Sequence, residues 1–213
     1  MVVACPIIID IVDSRNLPDR IDAHNAVLAT FTTVGDLFTA HRDVWPTVGD
    51  EFQVVYSTLS HAVMATGLVR LLIGEEVDLR FGIGHGEIRT ITESQAGPID
   101  DGPGWYAARD ALDHAERMQA HGHPWLRTWV TMSDQADNLS QMMTRAHLTT
   151  RDHIISRMTS RERRITAAWL SGSTQSEIAR KEKMSQAAIS QRLVACGATA
   201  IAHTQELLER GQI

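Results

Sequence analysis

Two acidic residues stand where carboxylates can do chemistry. Asp10 sits near the end of the β-branched run Ile7-Ile8-Ile9-Asp10-Ile11-Val12, and Asp50 occupies the turn Gly49-Asp50. The run reads as a strand buried on both faces, and residues 44 to 57 read as a hairpin with Asp50 at its tip. Where such a strand and hairpin are neighbours, the two carboxylates converge. Magnesium takes oxygen ligands and is commonly held by one or two carboxylates plus substrate phosphates, so the pair is a candidate site for magnesium or manganese with a nucleotide. Gly-Asp is also ordinary turn chemistry and Asp10 could cap a turn, which leaves a structural role open beside the metal one.

Other chemistry-bearing residues carry weaker signals. Gly82, Gly84 and Gly86 alternate as in a close-packed or bulged strand and open no helix, so they are not a phosphate loop. His114, His121 and His123 lack nearby cysteine or carboxylate partners and read as a solvated helix end. Cys5 and Cys196 lie at opposite ends of the chain, which argues against a disulfide framework or structural zinc site and for a reducing cytoplasm. Trp105 adjoins a glycine-rich loop and is expected in the core or stacked on a ring.

The elements that must position these residues follow from periodicity. Helices are expected to about residue 40, over 58–73 and over 105–121. Strands are expected over 77–84, 86–91 and 125–132, a loop from 94 to 104, and a long helix into the late 150s. The order β-α-β-β-α-β is a split β-α-β arrangement. The expected fold is α+β and ferredoxin-like, an antiparallel sheet with helices on one face. Residues 1–133 form this domain, 134–158 a connecting helix and 159–213 an all-α helix-turn-helix domain. No apolar run approaches the roughly 20 residues that span a bilayer.

The segments Ile9-Asp10-Ile11-Val12, Val48-Gly49-Asp50-Glu51-Phe52, Arg80 to Ile88 and Gly104 to Arg109 fall in the order of the signature segments of class III nucleotide cyclases, and the Gly-Asp-Glu-Phe tip resembles that of diguanylate cyclases. More closely, "DIVDSR…VGDEFQ…VDLRFGIGHGEI…DGPGWYAARDA" resembles the SatD family of bacterial proteins. The resemblance implies a cyclase-like scaffold with Asp10 and Asp50 as metal-type aspartates and Arg109 in the place of the transition-state arginine. A base-selecting lysine and an asparagine of the cyclase pattern are replaced by Pro46 and Trp105, so the resemblance does not by itself imply cyclisation. Read as an ordinary helical residue, Arg109 pairs with Asp113.

The C-terminal part reads differently. Of 20 basic and 26 acidic side chains, residues 154–213 hold nine and five, so an acidic body carries a basic segment. Thr159-Ser160-Arg161-Glu162 and Thr174-Gln175-Ser176-Glu177 are capping boxes, Gly172 stops a helix and Ser185 caps the next. This spacing resembles the helix-turn-helix of sigma-factor region 4 and response regulators. That resemblance implies base contacts by Gln186, Ala187, Ser190 and Gln191, and phosphate contacts by Thr174, Lys181, Lys183, Ser185 and Arg192. Apolar Val194, Ala198, Ile201, Leu207 and Leu208 suggest a homodimer. The expectation is a cytoplasmic transcriptional regulator that binds double-stranded DNA, its cyclase-like domain dimerising or sensing a nucleotide. The alternative is a metal-dependent nucleotidyl cyclase or nucleotidyltransferase that the helix-turn-helix directs to DNA.

Overall fold

A computed structural model describes residues 1–47, 49–94, 97–134 and 138–211. Its centre is β1 (Val2–Ile11), which pairs antiparallel on one side with β3 (Glu51–Tyr56) and on the other with β4 (Leu79–Ser94). β2 (Arg42–Pro46) continues the sheet beyond β3, β5 (Gly97–Asp101) continues it beyond β4, and β6 (Thr128–Met132) joins β4 in parallel, giving six strands. Val48 lies outside the described residues.

Successive side chains of a strand point to opposite faces. Cys5, Ile7, Ile9 and Ile11 enter one core with α1 (Arg20–Gly35) and α2 (Leu59–Leu72), whereas Ala4 and Ile8 enter a second with α3 (Pro103–Ala120). Helices therefore cover both faces of the sheet, correcting the expectation of one. The reason lies in Ile7-Ile8-Ile9: three consecutive isoleucines leave no face that can meet water. Asp10 has the parity of Ile8 and points toward α3.

The strands expected over 77–84 and 86–91 are one continuous β4. A Cβ at Gly82 would lie 2.3 Å from the Ala108 carbonyl oxygen, and one at Gly84 2.0 Å from that of Gly104, so these glycines let the α3 backbone rest directly on the strand. That contact fixes the height of every α3 side chain above Asp10. The segment expected as a loop contains β5; its glycine, proline and aspartates gave no strand pattern, and residues 95 and 96 lie outside the described ones.

The remaining helices are α4 (Asn138–Ser156), α5 (Ser160–Leu170), α6 (Gln175–Glu182), α7 (Gln186–Ala195) and α8 (Ala198–Gly211). Both expected capping boxes form. Ile165, Ile178, Ile189 and Leu193 pack together, but Ala167 of α5 and Ile201 and Leu208 of α8 belong to the main core shared with α2 and the sheet. α5 and α8 are thus packed onto the body, while α5, α6, α7 and the start of α8 also share a cluster of their own. Among the described residues no helix is long and apolar enough to cross a membrane.

One polar network ties α4 to this body. Fully buried Asp152 accepts from the backbone N–H groups of Arg127 (2.8 Å) and Thr128 (2.6 Å) and from Arg151 Nη2 (2.9 Å), and lies 2.7 Å from Arg70 Nη1.

Candidate functional site

The end of β1 places Asp10 opposite Glu51 of β3 and opposite Arg80 of β4. Arg80, buried to 6 % exposure, donates from Nη1 to Asp10 Oδ2 at 2.6 Å and from Nη2 to Gln119 Oε1 at 2.6 Å. The other Asp10 oxygen, Oδ1, is buried with no hydrogen-bond partner. Burial pushes the Asp10 carboxyl up, Arg80 pulls it down, and Glu116, Asp50 and Glu51 push it up again, leaving it at about 6. One oxygen of this acid group thus has a cationic partner and the other has none, in an otherwise acidic neighbourhood.

Asp50 lies in the turn between β2 and β3, where the φ of +79° at Gly49 suits glycine. The hydroxyl of Ser14, in the 3-10 turn that follows β1, donates to Asp50 Oδ2. The strand end and the hairpin tip are thus held together by a direct bond, and the charge of Asp50 acts on Asp10. Arg109 projects from α3 to the same place, but its partner is Glu51, which accepts from Nη1 at 2.5 Å and Nη2 at 2.9 Å. The i+4 pairing with Asp113 gives way to this two-pronged bond, because α3 seated on Gly82 and Gly84 brings the Arg109 fork within reach of Glu51.

The residues present suit a hard divalent cation only in part. Asp10 Oδ1 is an unused oxygen donor beside a second carboxylate, yet among the described residues no group of three or more His, Cys, Asp or Glu could hold a metal ion. Such a site leaves most of the coordination sphere to other oxygens, as magnesium sites on phosphate substrates do. A cavity of about 340 Å³ opens beside Asp50, lined among others by Ser14, Gly49, Arg20 and His24. That volume lies within the roughly 300–1,000 Å³ of small-molecule sites.

Trp105, only 7 % exposed, packs edge-on against Trp45 at 6.1 Å in the α3-side core, so it is not free to stack on a ligand. Pro46 lies exposed on β2. Sequence reasoning passed over Glu51, Arg80, Glu116 and Gln119. A signal existed: Arg109, Asp113 and Glu116 recur at four and three residues, one stripe of a helix.

The SatD family (SatD) model matches residues 4–207. The chain belongs to the SatD family. Among solved structures it is similar to the catalytic core of a rhodopsin-guanylyl cyclase with converted specificity in complex with ATPαS, at 17% identity and TM-score 0.42 over 52% of this chain and 71% of that one. A Trypanosoma brucei adenylate cyclase in its monomeric state shows 14% identity and TM-score 0.41 over 53% and 69%. A bacterial light-regulated adenylyl cyclase shows 13% identity and TM-score 0.42 over 55% and 41%. These likenesses cover about half of the chain and assign no activity. No curated protein matches the sequence.

The family match overturns the reading as a DNA-binding transcriptional regulator with a fused helix-turn-helix and double-stranded DNA as partner. One family spans both the sheet and the C-terminal helices without a break. Part of the basic set on which that reading leaned is paired at the surface of the helices. Arg161 and Arg164 pair with Glu182 at 3.5 and 3.4 Å, and Arg192 pairs with Glu162 at 3.1 Å. The hydroxyls of Thr174 and Ser185 accept from helix N–H groups as caps. Lys181, Lys183, Gln186, Ala187 and Gln191 are exposed, Ser190 half-buried. Good capping makes good helices in any context; it does not specify what they touch. The apolar residues expected to meet a twin are also partly engaged: Ala198 and Ile201 are buried and Leu208 packs on the main core, while Val194 and Leu207 stay exposed.

Proposed function

We propose that the protein is a metal-dependent nucleotidyl cyclase or nucleotidyltransferase that acts on a nucleoside triphosphate at the Asp10–Asp50 face. The observation that carries this reading is the orphaned Oδ1 of Asp10, buried beside Asp50 and Glu51 with its carboxyl raised to about 6. The order of the cyclase-like segments around Asp10, Asp50 and Arg109 supports it. Magnesium or manganese held by Asp10 and Asp50 would neutralise triphosphate charge there. Arg80 fixes the orientation of Asp10, and Ser14 fixes that of Asp50. Arg109, held by Glu51, keeps a guanidinium aimed at the same place for the charge that develops on the reacting phosphate. Because Pro46 and Trp105 replace the cyclase lysine and asparagine, contacts to base and ribose fall to other residues, with Arg20 and His24 in the neighbouring cavity as candidates. Association of two copies of the chain is part of the same reading.

Incubation with each nucleoside triphosphate and magnesium or manganese, followed by separation of nucleotide products, tests it. The expected result is pyrophosphate and a nucleotidyl product from wild type and neither from Asp50→Asn. Absence of any product that depends on Asp50 overturns the reading.

A further inference from the structure

A second cavity, of about 250 Å³, lies where α2 ends, the turn before β6 begins and α5 crosses, on the other face of the sheet from α3. Three guanidinium groups line it: Arg70, Arg127 and Arg163. Their partners are unequal. Arg127 is satisfied, with Nε on Asp78 at 2.7 Å and Nη1 on the carbonyls of Pro124 and Leu126. Arg70, 6 % exposed, lies 2.7 Å from Asp152 through Nη1, but outside the direction a hydrogen bond needs, and Asp152 already serves Arg151 and two backbone N–H groups. Exposed Glu75 accepts from the Ser160 hydroxyl.

Arg163 is left over. It has no ion pair among the described residues, and its Nε is buried without a hydrogen-bond partner. Burial and the nearby Arg70 hold its guanidinium below the ordinary range, against the opposing pull of Asp78 and Glu75. The cavity lining holds three arginines, Arg70, Arg127 and Arg163, against two carboxylates, Asp78 and Glu75. A half-buried cation whose nearby carboxylates, Asp78 and Glu75, make no ion pair with it is costly, so the unoccupied donor calls for an anion.

We propose that this cavity binds a compact oxyanion, inorganic phosphate or a small phosphate monoester, between Arg163 and Arg70. Guanidinium groups meet phosphate oxygens through paired, charge-assisted N–H donors, and two of them in one lining suit a tetrahedral dianion. The volume, below the roughly 300 Å³ at which sites for drug-sized ligands begin, favours a small anion over a whole nucleotide. Trp125, also in the lining, offers an apolar wall for a small ester substituent. The cavity shares no lining residue with the one beside Asp50.

Calorimetric titration and thermal melting of the full chain test this, with chloride replaced at constant ionic strength by inorganic phosphate or by glycerol phosphate. Wild type is expected to bind and to melt at a higher temperature in at least one of the two anions than in chloride, and the tighter binder identifies the source. Arg163→Gln is expected to weaken binding by roughly tenfold or more, as loss of a charge-assisted hydrogen bond does. In chloride the same variant should melt no lower than wild type, since an uncompensated charge has gone. Arg164→Gln, which alters the adjacent arginine paired with Glu182, and Asp50→Asn should bind as wild type, which separates this result from the fate of the nucleotidyl reading. Equal melting in phosphate, glycerol phosphate and chloride overturns the proposal. So does unchanged binding by Arg163→Gln, or a lower melting temperature of that variant in chloride, which would make Arg163 a structural residue.

Discussion

Asp10 and Asp152 are both carboxylates withdrawn from water beside arginine, and the fold treats them in opposite ways. Burial alone would raise Asp152, but Arg70, Arg151 and the backbone N–H of Arg127 hold it below the usual carboxylate range. Asp10 has Arg80 on one oxygen and nothing on the other, with acidic neighbours, and its carboxyl rises to about 6. The difference lies in the number of donors and not in depth, for Asp10 is the more exposed of the two, at 22% against 0% of its side chain. A fully satisfied buried charge serves the structure, whereas a partly satisfied one marks a place where the fold leaves room for something else to bind.

The largest test of this contrast is Asp152→Ala, which leaves Arg70 and Arg151 buried without their carboxylate. It should cost about 3–5 kcal/mol of stability, read from chemical denaturation. Asp10→Asn should act in the reverse direction. A folded carboxyl near 6 against an ordinary 3.8 binds its proton more tightly folded than unfolded, so its contribution to stability is full below about pH 4 and is lost as pH rises through 6. At pH 8 the amide should therefore stabilise the protein by up to about 3 kcal/mol, and the gain should vanish below pH 4. If Asp10→Asn destabilised as Asp152→Ala does, the two carboxylates would be the same kind of group.

A smaller effect sharpens the same point. Manganese at about ten times its Kd should add ~1.4 kcal/mol at pH 8, less at pH 5 where Asp10 holds its proton, and nothing in Asp10→Asn. The smallest concerns the exposed pairs: Arg192→Ala breaks the contact with Glu162 and should cost less than about 1 kcal/mol, with nucleotide product formation unchanged.

Much of this was legible in the residues. The apolar run around Ile8 marked β1 as a strand buried on both faces, the Gly49-Asp50 turn placed Asp50 at a hairpin tip, and the capping boxes at Thr159 and Thr174 located two helices. Less legible was β5, whose residues lack strand character and which exists because β4 is long enough to pair with it. The partner of Arg109 was not legible either: spacing offered only Asp113 at i+4, and the seating of α3 against Gly82 and Gly84 brings Glu51, far away in the chain, within reach instead. The basic surplus after residue 154 was legible as a sum but not as a distribution. Which of its members pair with Glu182 and Glu162 depends on how α5, α6 and α7 cross.

What the sequence by itself determined was the set of elements and the positions of Asp10, Asp50 and Arg109 within them, because periodicity, turn chemistry and caps are local. Tertiary structure alone decided which charges are satisfied. It gave Asp152 a full set of donors, left Asp10 Oδ1 and Arg163 Nε without partners, and drew α5 and α8 into the main core. The physical reason is that hydrogen bonds and desolvation depend on distances of a few ångströms between residues far apart in the chain, as between Asp10 and Arg80 or Arg70 and Asp152, and no local pattern encodes them.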